Sequence, residues 1–210
     1  MDAMRLHKVL EEHAGWLVFG ILFVSAIGGL VQIVPSLFTE SLSTPSAGTK
    51  PYDAAALIGR DVYIREGCVS CHSQQVRPLL AEIKRYGPYS RAGESVYDRP
   101  FLWGSKRTGP DLARVGGKYT DTWHELHMIE PRSVVPDSIM PAYPWLAERA
   151  ANAAGDIQAR MQALRRLGHP YTDAEIEAAP GVLEGMTELD ALVVYLQGLD
   201  GGEFAAGGQP

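Results

Sequence analysis

Cysteine is nearly missing from this chain: two residues, Cys68 and Cys71, in 210. So few exclude a disulfide framework, and they leave a tetrahedral zinc site short of ligands unless histidines or carboxylates complete it. An excess of basic charge is also absent. The formal net charge is −6, which argues against nucleic acid as the main partner. No stretch alternates apolar and polar residues in the manner of a half-buried strand, and no internal repeat is visible. Between Lys8 and Lys50 there is no lysine or arginine at all. What remains is a chain with 46% hydrophobic and 21% charged residues, the composition of a folded protein, long enough for one ordinary domain and an appendage.

The appendage is legible in the cation-free interval. "WLVFGILFVSAIGGLVQIV", residues 16–34, is nineteen residues without a charge. As a helix it reaches roughly 28 Å, close to the hydrocarbon thickness of a bilayer. The run exceeds the apolar core of a signal peptide, and no A-x-A cleavage pattern follows it, so it reads as an uncleaved anchor. Arg5 and Lys8 precede it, which predicts a cytoplasmic N-terminus and everything after residue 35 on the other side. Ser25 and Gly29 form a small-x-x-x-small pair, a weak signal for a second helix. The expected organisation is an anchor over 1–38, a Ser/Thr/Pro/Gly linker over 39–52, a folded domain over 53–200 and a tail over 201–210.

The domain is expected to be mostly α. "DAAALIGRDVYIREGC" has helical spacing behind Asp53, giving a helix near 53–66. Residues 73–120 are rich in Gly, Pro, Tyr and Arg without a sustained period, so they read as a long loop with a short helix near 79–86. "TDTWHELHMIE" is a helix ended by Pro131, and "AERAANAAGDIQARMQALRRLG" is a helix stopped by Gly168 and Pro170. "TDAEIEAA" opens with a capping box from Thr172 to Glu175. The last helix starts at Thr187 and puts Leu189, Leu192, Val193, Leu196 and Leu199 on one face. Charge is uneven: nine Lys/Arg face four Asp/Glu over residues 73–118, and five face fourteen over 119–210. That asymmetry suits docking of charged partners or anionic cofactor groups, and equally two solvated faces.

The two cysteines stand in "CVSCH", residues 68–72. A redox dithiol of the thioredoxin kind wants a βαβ context, which an all-α domain does not offer. A zinc site would have to recruit His124 and His127 from the helix beyond. Covalent haem c needs only what is there: two thiols spaced to reach one porphyrin edge, and His72 beside the second to ligate the iron. Methionine is a usual second axial ligand. Of Met128, Met140, Met161 and Met186, Met140 lies in the Pro-rich extended "SVVPDSIMPAYPWL", and the others lie on or beside helices, where methionine is more often core filler. Met140 is the expected distal ligand, with His127 or His124 as alternatives. The "TGPDL" turn offers the Pro110 carbonyl to the second ring nitrogen of His72. Lys106 and Arg107 are candidates for neutralising haem propionates, or a solvated surface pair.

Gly59 and Tyr63 before the Cys-x-x-Cys-His motif, then "GPDL", "MPAYPWL" and the closing "ELDALVVYLQGL", resemble the class I cytochrome c fold. The resemblance implies that the first and last helices cross, with Gly59 against Leu192 and Tyr195, and that His72 and Met140 ligate the iron while Pro110 orients the proximal ring. The anchor, the tract from Gly67 to Tyr119 and "SIMPAYPWL" are together similar to the mono-haem subunit of cbb3-type cytochrome c oxidases. That likeness runs to about residue 147 and carries no role onto residues 147–186. It implies a single-pass protein of the bacterial cytoplasmic membrane with a periplasmic haem domain. It further implies a haem–copper catalytic subunit as acceptor, a di-haem cytochrome c subunit or soluble cytochrome as donor, and no oxygen-reducing site in this chain. A cytochrome subunit of a nitric oxide reductase is the sibling reading, and a haem peroxidase with an open iron position the reading from another class.

Overall fold

An uninterrupted apolar run has no polar face to turn towards water. The computed structural model, which describes residues 3–40, 44–154 and 156–200, gives that run as one helix with no buried residue. This helix, α2 (Ala14–Leu37), extends the expected span at both ends and is long and apolar enough to cross a membrane. It follows α1 (Ala3–Glu12), whose exposed face carries i,i+4 pairs between His7 and Glu11 and between Lys8 and Glu12. A Cβ added at Gly29 would meet nothing within 4 Å. Residues 1–44 form one compact unit and residues 45–210 a second. Residues 41–43 of the expected linker, and the expected tail 201–210, lie outside the described residues.

The second unit is helical, and among the described residues it has no strand; one isolated bridge joins Ala150 and Thr187. Its frame is α3 (Ala54–Arg65) against α9 (Glu188–Gln197). Asp53 caps α3 by accepting from the Ala56 N–H at 2.8 Å, and Thr187 and Asp190 form a capping box on α9. The two helices cross where Gly59 has no side chain: a Cβ there would stand 1.9 Å from the Ala191 carbonyl oxygen and 2.7 Å from Cβ of Tyr195. That close approach buries Ile58, Val62, Tyr63, Leu192, Tyr195 and Leu196 in one cluster.

The remaining helices are laid on this pair. α5 (Asp121–Ile129) packs on α9; Pro131 ends it and begins the one-turn α6 (Pro131–Val134), where a missing N–H costs nothing. The single helix expected from residue 147 to 168 is shorter. A 3₁₀ turn covers Ala151–Ala154, and α7 (Ile157–Arg166) starts only after Asp156, whose carboxylate accepts from the Gln158 and Ala159 N–H groups. The chain before it is tied elsewhere, the Ala151 N–H donating to the Met186 carbonyl at 2.9 Å. α8 (Asp173–Val182) opens with the expected Thr172–Glu175 box and continues through Pro180. α7 and α8 pack on each other and on α3. Residues 66–120 contain one short α-helix, α4 (Leu80–Tyr86), and two 3₁₀ turns, and are otherwise held by arginines: buried Arg60 reaches the Arg99 carbonyl and the Asp98 carboxylate at 3.3 Å, and Arg114 grips Glu94.

Candidate functional site

α3 is capped at Glu66, and Gly67 then adopts a left-handed conformation with φ 77°. That turn throws Cys68–Ser70 into a 3₁₀ helix, in which the Cys68 carbonyl accepts from the N–H groups of both Cys71 and His72, at 3.1 and 2.8 Å. The sulfurs are unpaired and half-buried. Burial pushes the Cys68 thiol up to about 11, the reverse of the depressed value a redox dithiol needs. Among the described residues no three His, Cys, Asp or Glu side chains group as a metal cage, so the zinc alternative lacks its ligands.

His72 is fixed from two sides. The Pro110 carbonyl oxygen lies 2.8 Å from Nδ1, which puts the proton on that nitrogen and leaves Nε2 as a lone pair. Burial lowers its pKa, with the Pro110 carbonyl and Asp111 working the other way. Gly109 lies flat against the ring: a Cβ at this position would stand 2.2 Å from Cε1 of His72. The turn is sewn to the motif by the Gly109 N–H to the Cys71 carbonyl at 3.0 Å and the Leu112 N–H to the Ser73 carbonyl at 2.9 Å. Behind the motif, the Tyr63 hydroxyl donates to the His72 carbonyl at 3.1 Å, and the Tyr195 hydroxyl to Gln74 Oε1 at 2.9 Å.

Cys68, Cys71, His72 and Met140 all line one cleft of about 760 Å³, walled by apolar side chains that include Leu112, Leu192 and Leu196. Met140 is half-buried. Its loop is pinned by the Tyr143 N–H donating to the Met128 carbonyl at 2.8 Å and by Arg132 donating to the Ser138 carbonyl at 3.1 Å. Met128 also reaches the cleft, from α5, whereas Met161 is core filler at 2% exposure and Met186 packs against that core. His124 and His127 line the same cleft, and Nε2 of the first and Nδ1 of the second are buried without a hydrogen-bond partner. Burial lowers both imidazoles, and for His127 the neighbouring His72 and His124 add to the effect. Two free thiols on one rim, an imidazole with a committed tautomer and a thioether in the same apolar cleft are what a haem would meet. The donor set fits the group.

Lys106 and Arg107 do not line this cleft. Arg107 turns the other way, donating to Ser73 Oγ, to the Gln75 carbonyl at 2.9 Å and to Glu82 at 2.9 Å, within 3.6 Å of Asp111. The basic residues that do line it are Arg85, Arg114 and Lys118, and sequence reasoning missed them because each sits in a loop-rich tract with no period to aim it. Glu82 is the hub of the Arg107 cluster. Arg77, by hydrogen bonds to its carboxylate, and then Arg107 hold it down at about 2. A carboxylate depressed on folding gives stability that is present above its ordinary pKa and is lost as pH falls through its folded one. Glu82→Gln should therefore lower the unfolding midpoint at pH 7, and the gap to the parent should close as pH drops from about 4.5 towards 2. Thermal unfolding across that range checks it; a gap independent of pH would show that packing, not charge, gives Glu82 its role.

A family model described as cytochrome C oxidase, mono-heme subunit/FixO matches residues 7–184 of the chain. No curated protein matches it.

Proposed function

Because the chain belongs to the FixO family, the mono-haem subunit of cytochrome c oxidase, we propose that it is the membrane-anchored electron relay of a cbb3-type haem–copper terminal oxidase. The observation that carries this reading is the immobilised His72, its ring held between the Pro110 carbonyl and Gly109 in a cleft shared with two free thiols and a methionine. Haem, when bound, supplies the one-electron carrier. The residues supply everything else. Cys68 and Cys71 would hold the group covalently. Nε2 of His72 and the thioether of Met140 would be the two donors to its iron, a pairing that raises the reduction potential. Pro110 keeps the His72 proton on Nδ1, so that the donor nitrogen never competes with a proton of its own. The apolar walls would lower the polarity around the iron and so favour its less charged, reduced form.

With α2 as anchor and the positive flank before it, the haem domain faces the periplasm. There it passes electrons from a di-haem cytochrome c subunit or a soluble cytochrome to the catalytic subunit, without reducing oxygen itself. Arg85 and Lys118 line the cleft, as Lys106 and Arg107 do not, and would be the side chains to neutralise the propionates. Purifying the full chain in mild detergent, staining for covalent haem and identifying what copurifies tests the assignment. A haem–copper oxidase subunit is the expected companion, and a non-haem-iron reductase subunit would select the nitric oxide reductase instead. Met140→Leu should keep covalent haem, lose the methionine-ligated spectrum and lower the potential. An unchanged spectrum and potential would remove Met140 from the iron.

A further inference from the structure

The Pro110 carbonyl meets His72 only while one peptide unit keeps its orientation. That unit is planar and runs from Pro110 to Asp111. The pyrrolidine ring fixes φ of Pro110 but leaves ψ, the rotation that swings the carbonyl, unrestrained. Pro110 has no N–H to donate, and its oxygen is engaged by the imidazole, so the residue cannot anchor itself. The backbone bonds to the haem motif on either side belong to Gly109 and Leu112. Between them, the far end of the unit is held by a side chain.

Asp111 is 5% exposed, and its carboxylate is wholly enclosed. One oxygen, Oδ1, accepts from the Ala113 N–H at 2.9 Å and closes a local turn. The other, Oδ2, accepts from the Ser73 hydroxyl at 2.6 Å and from the Gln75 N–H at 2.9 Å. Arg107 lies 3.6 Å from Oδ2 and also donates to Ser73 Oγ. Burying a carboxylate is costly unless its lone pairs are met, and here donors converge on it from separate segments.

Ser73 and Gln75 follow His72 in the chain, and Asp111 follows Pro110. One carboxylate thus joins the segment that carries the imidazole to the segment that carries its acceptor. An apolar side chain of similar size could fill the space, since such replacements of buried ion pairs often leave stability unchanged. It would fix no direction. Orientation is what the carboxylate adds, and Arg107 turns from the cleft to back the same join.

We infer that Asp111 is the positioning residue of the proximal site: it holds the Pro110 carbonyl on Nδ1 of His72 and so sets how strongly Nε2 donates to a haem iron. This rests on the reading of His72 as an axial ligand. A hydrogen bond accepted from Nδ1–H makes the imidazole a more basic ligand, which favours the oxidised iron. Loosening the join should therefore raise the reduction potential.

The test uses the full haem-loaded chain in mild detergent, as parent, Asp111→Asn and Ser73→Ala. Asparagine keeps the size, removes the charge and turns one accepting oxygen into a donor. Ser73→Ala removes a single bond to the carboxylate and leaves its charge in place, so it decides the matter even where Asp111→Asn fails to assemble. The first readout is hydrogen exchange of the His72 Nδ1–H in the ferrous state, followed by magnetic resonance of isotope-labelled histidine. The second is the midpoint potential. Exchange is expected to be about tenfold faster in Ser73→Ala and faster again in Asp111→Asn, the factor that a hydrogen bond to a charged group contributes to local opening. Both potentials should rise, that of Asp111→Asn further. Parent-like exchange in both variants overturns the inference. A potential that rises in Asp111→Asn alone, with exchange unmoved, overturns it by making Asp111 a source of charge and not of position. Lower thermal stability with exchange and potential unmoved overturns it as well, leaving Asp111 a structural support. A parent whose His72 Nδ1–H carries no haem-shifted resonance is a different failure: it removes His72 from the iron, and the inference with it.

Discussion

Cys68→Ala with Cys71→Ala leaves the chain without haem that survives denaturation. Attachment adds each S–H across a vinyl group: a sulfur–carbon bond forms, the hydrogen goes to the neighbouring carbon, and nothing is released. Both sulfurs sit on the rim of the cleft, on a 3₁₀ turn that the Cys68 carbonyl closes by two hydrogen bonds. There is no other cysteine to substitute for them. The expected result is complete loss of haem staining in a denaturing gel and the mass of the bare polypeptide. Either single variant should retain one bond and stain at reduced intensity. Haem still covalently bound in the double variant would overturn the assignment of the motif.

Gly59→Ala should be nearly as damaging, by a different route. The added methyl would lie 1.9 Å from the Ala191 carbonyl oxygen and 2.6 Å from its carbon. This is backbone inside α9, which cannot swing aside as a side-chain tip would. Either the helices separate, and Ile58, Val62, Tyr63 and Leu192 lose their packing, or the clash stands. Overpacking of this kind costs about 3 kcal/mol or more, against total stabilities of about 5–15 kcal/mol. Gly181 on α8 is the control: a Cβ there meets nothing within 4 Å, so Gly181→Ala adds helix propensity of up to about 1 kcal/mol at no steric cost. Denaturant unfolding followed by far-ultraviolet circular dichroism should separate the two by several kcal/mol. Equal midpoints would mean that α3 and α9 do not cross as closely as described.

The parts of the fold that were readable in the sequence are those built by a period or a cap. Asp53, Thr172 and Thr187 each accept the N–H expected of them, and the apolar face of α9 is buried where the spacing put it. Gly59 was placed by resemblance, and its reason appears only when Ala191, far along the chain, comes to lie against it. The helix expected over 147–168 fell short because Ala-rich propensity was outweighed by an aspartate that caps from within and a backbone tie to Met186. Pro110 faces His72 as the turn chemistry predicted. Arg107 does not face the cleft, because which way an arginine points in an aperiodic tract is set by where its carboxylates are. Glu82 and Asp111 stand on the other side of it. His124 and His127 were visible as a pair, but their unpaired nitrogens were not; satisfaction is a property of neighbours.

The crossing of α3 with α9 has a consequence for the order of events. Arg65, at the end of the first helix of the domain, pairs with Glu188, at the start of the last, across 123 positions. At roughly 5–20 residues per second, a ribosome takes on the order of 6–25 seconds to make that interval. For all of that time Cys68 and Cys71 exist on a chain whose closing helix has not been made. The closure entropy of so long a loop is recovered only when α9 arrives. The motif is thus made well before α9, whose Leu192 and Leu196 complete the wall of the cleft that it lines.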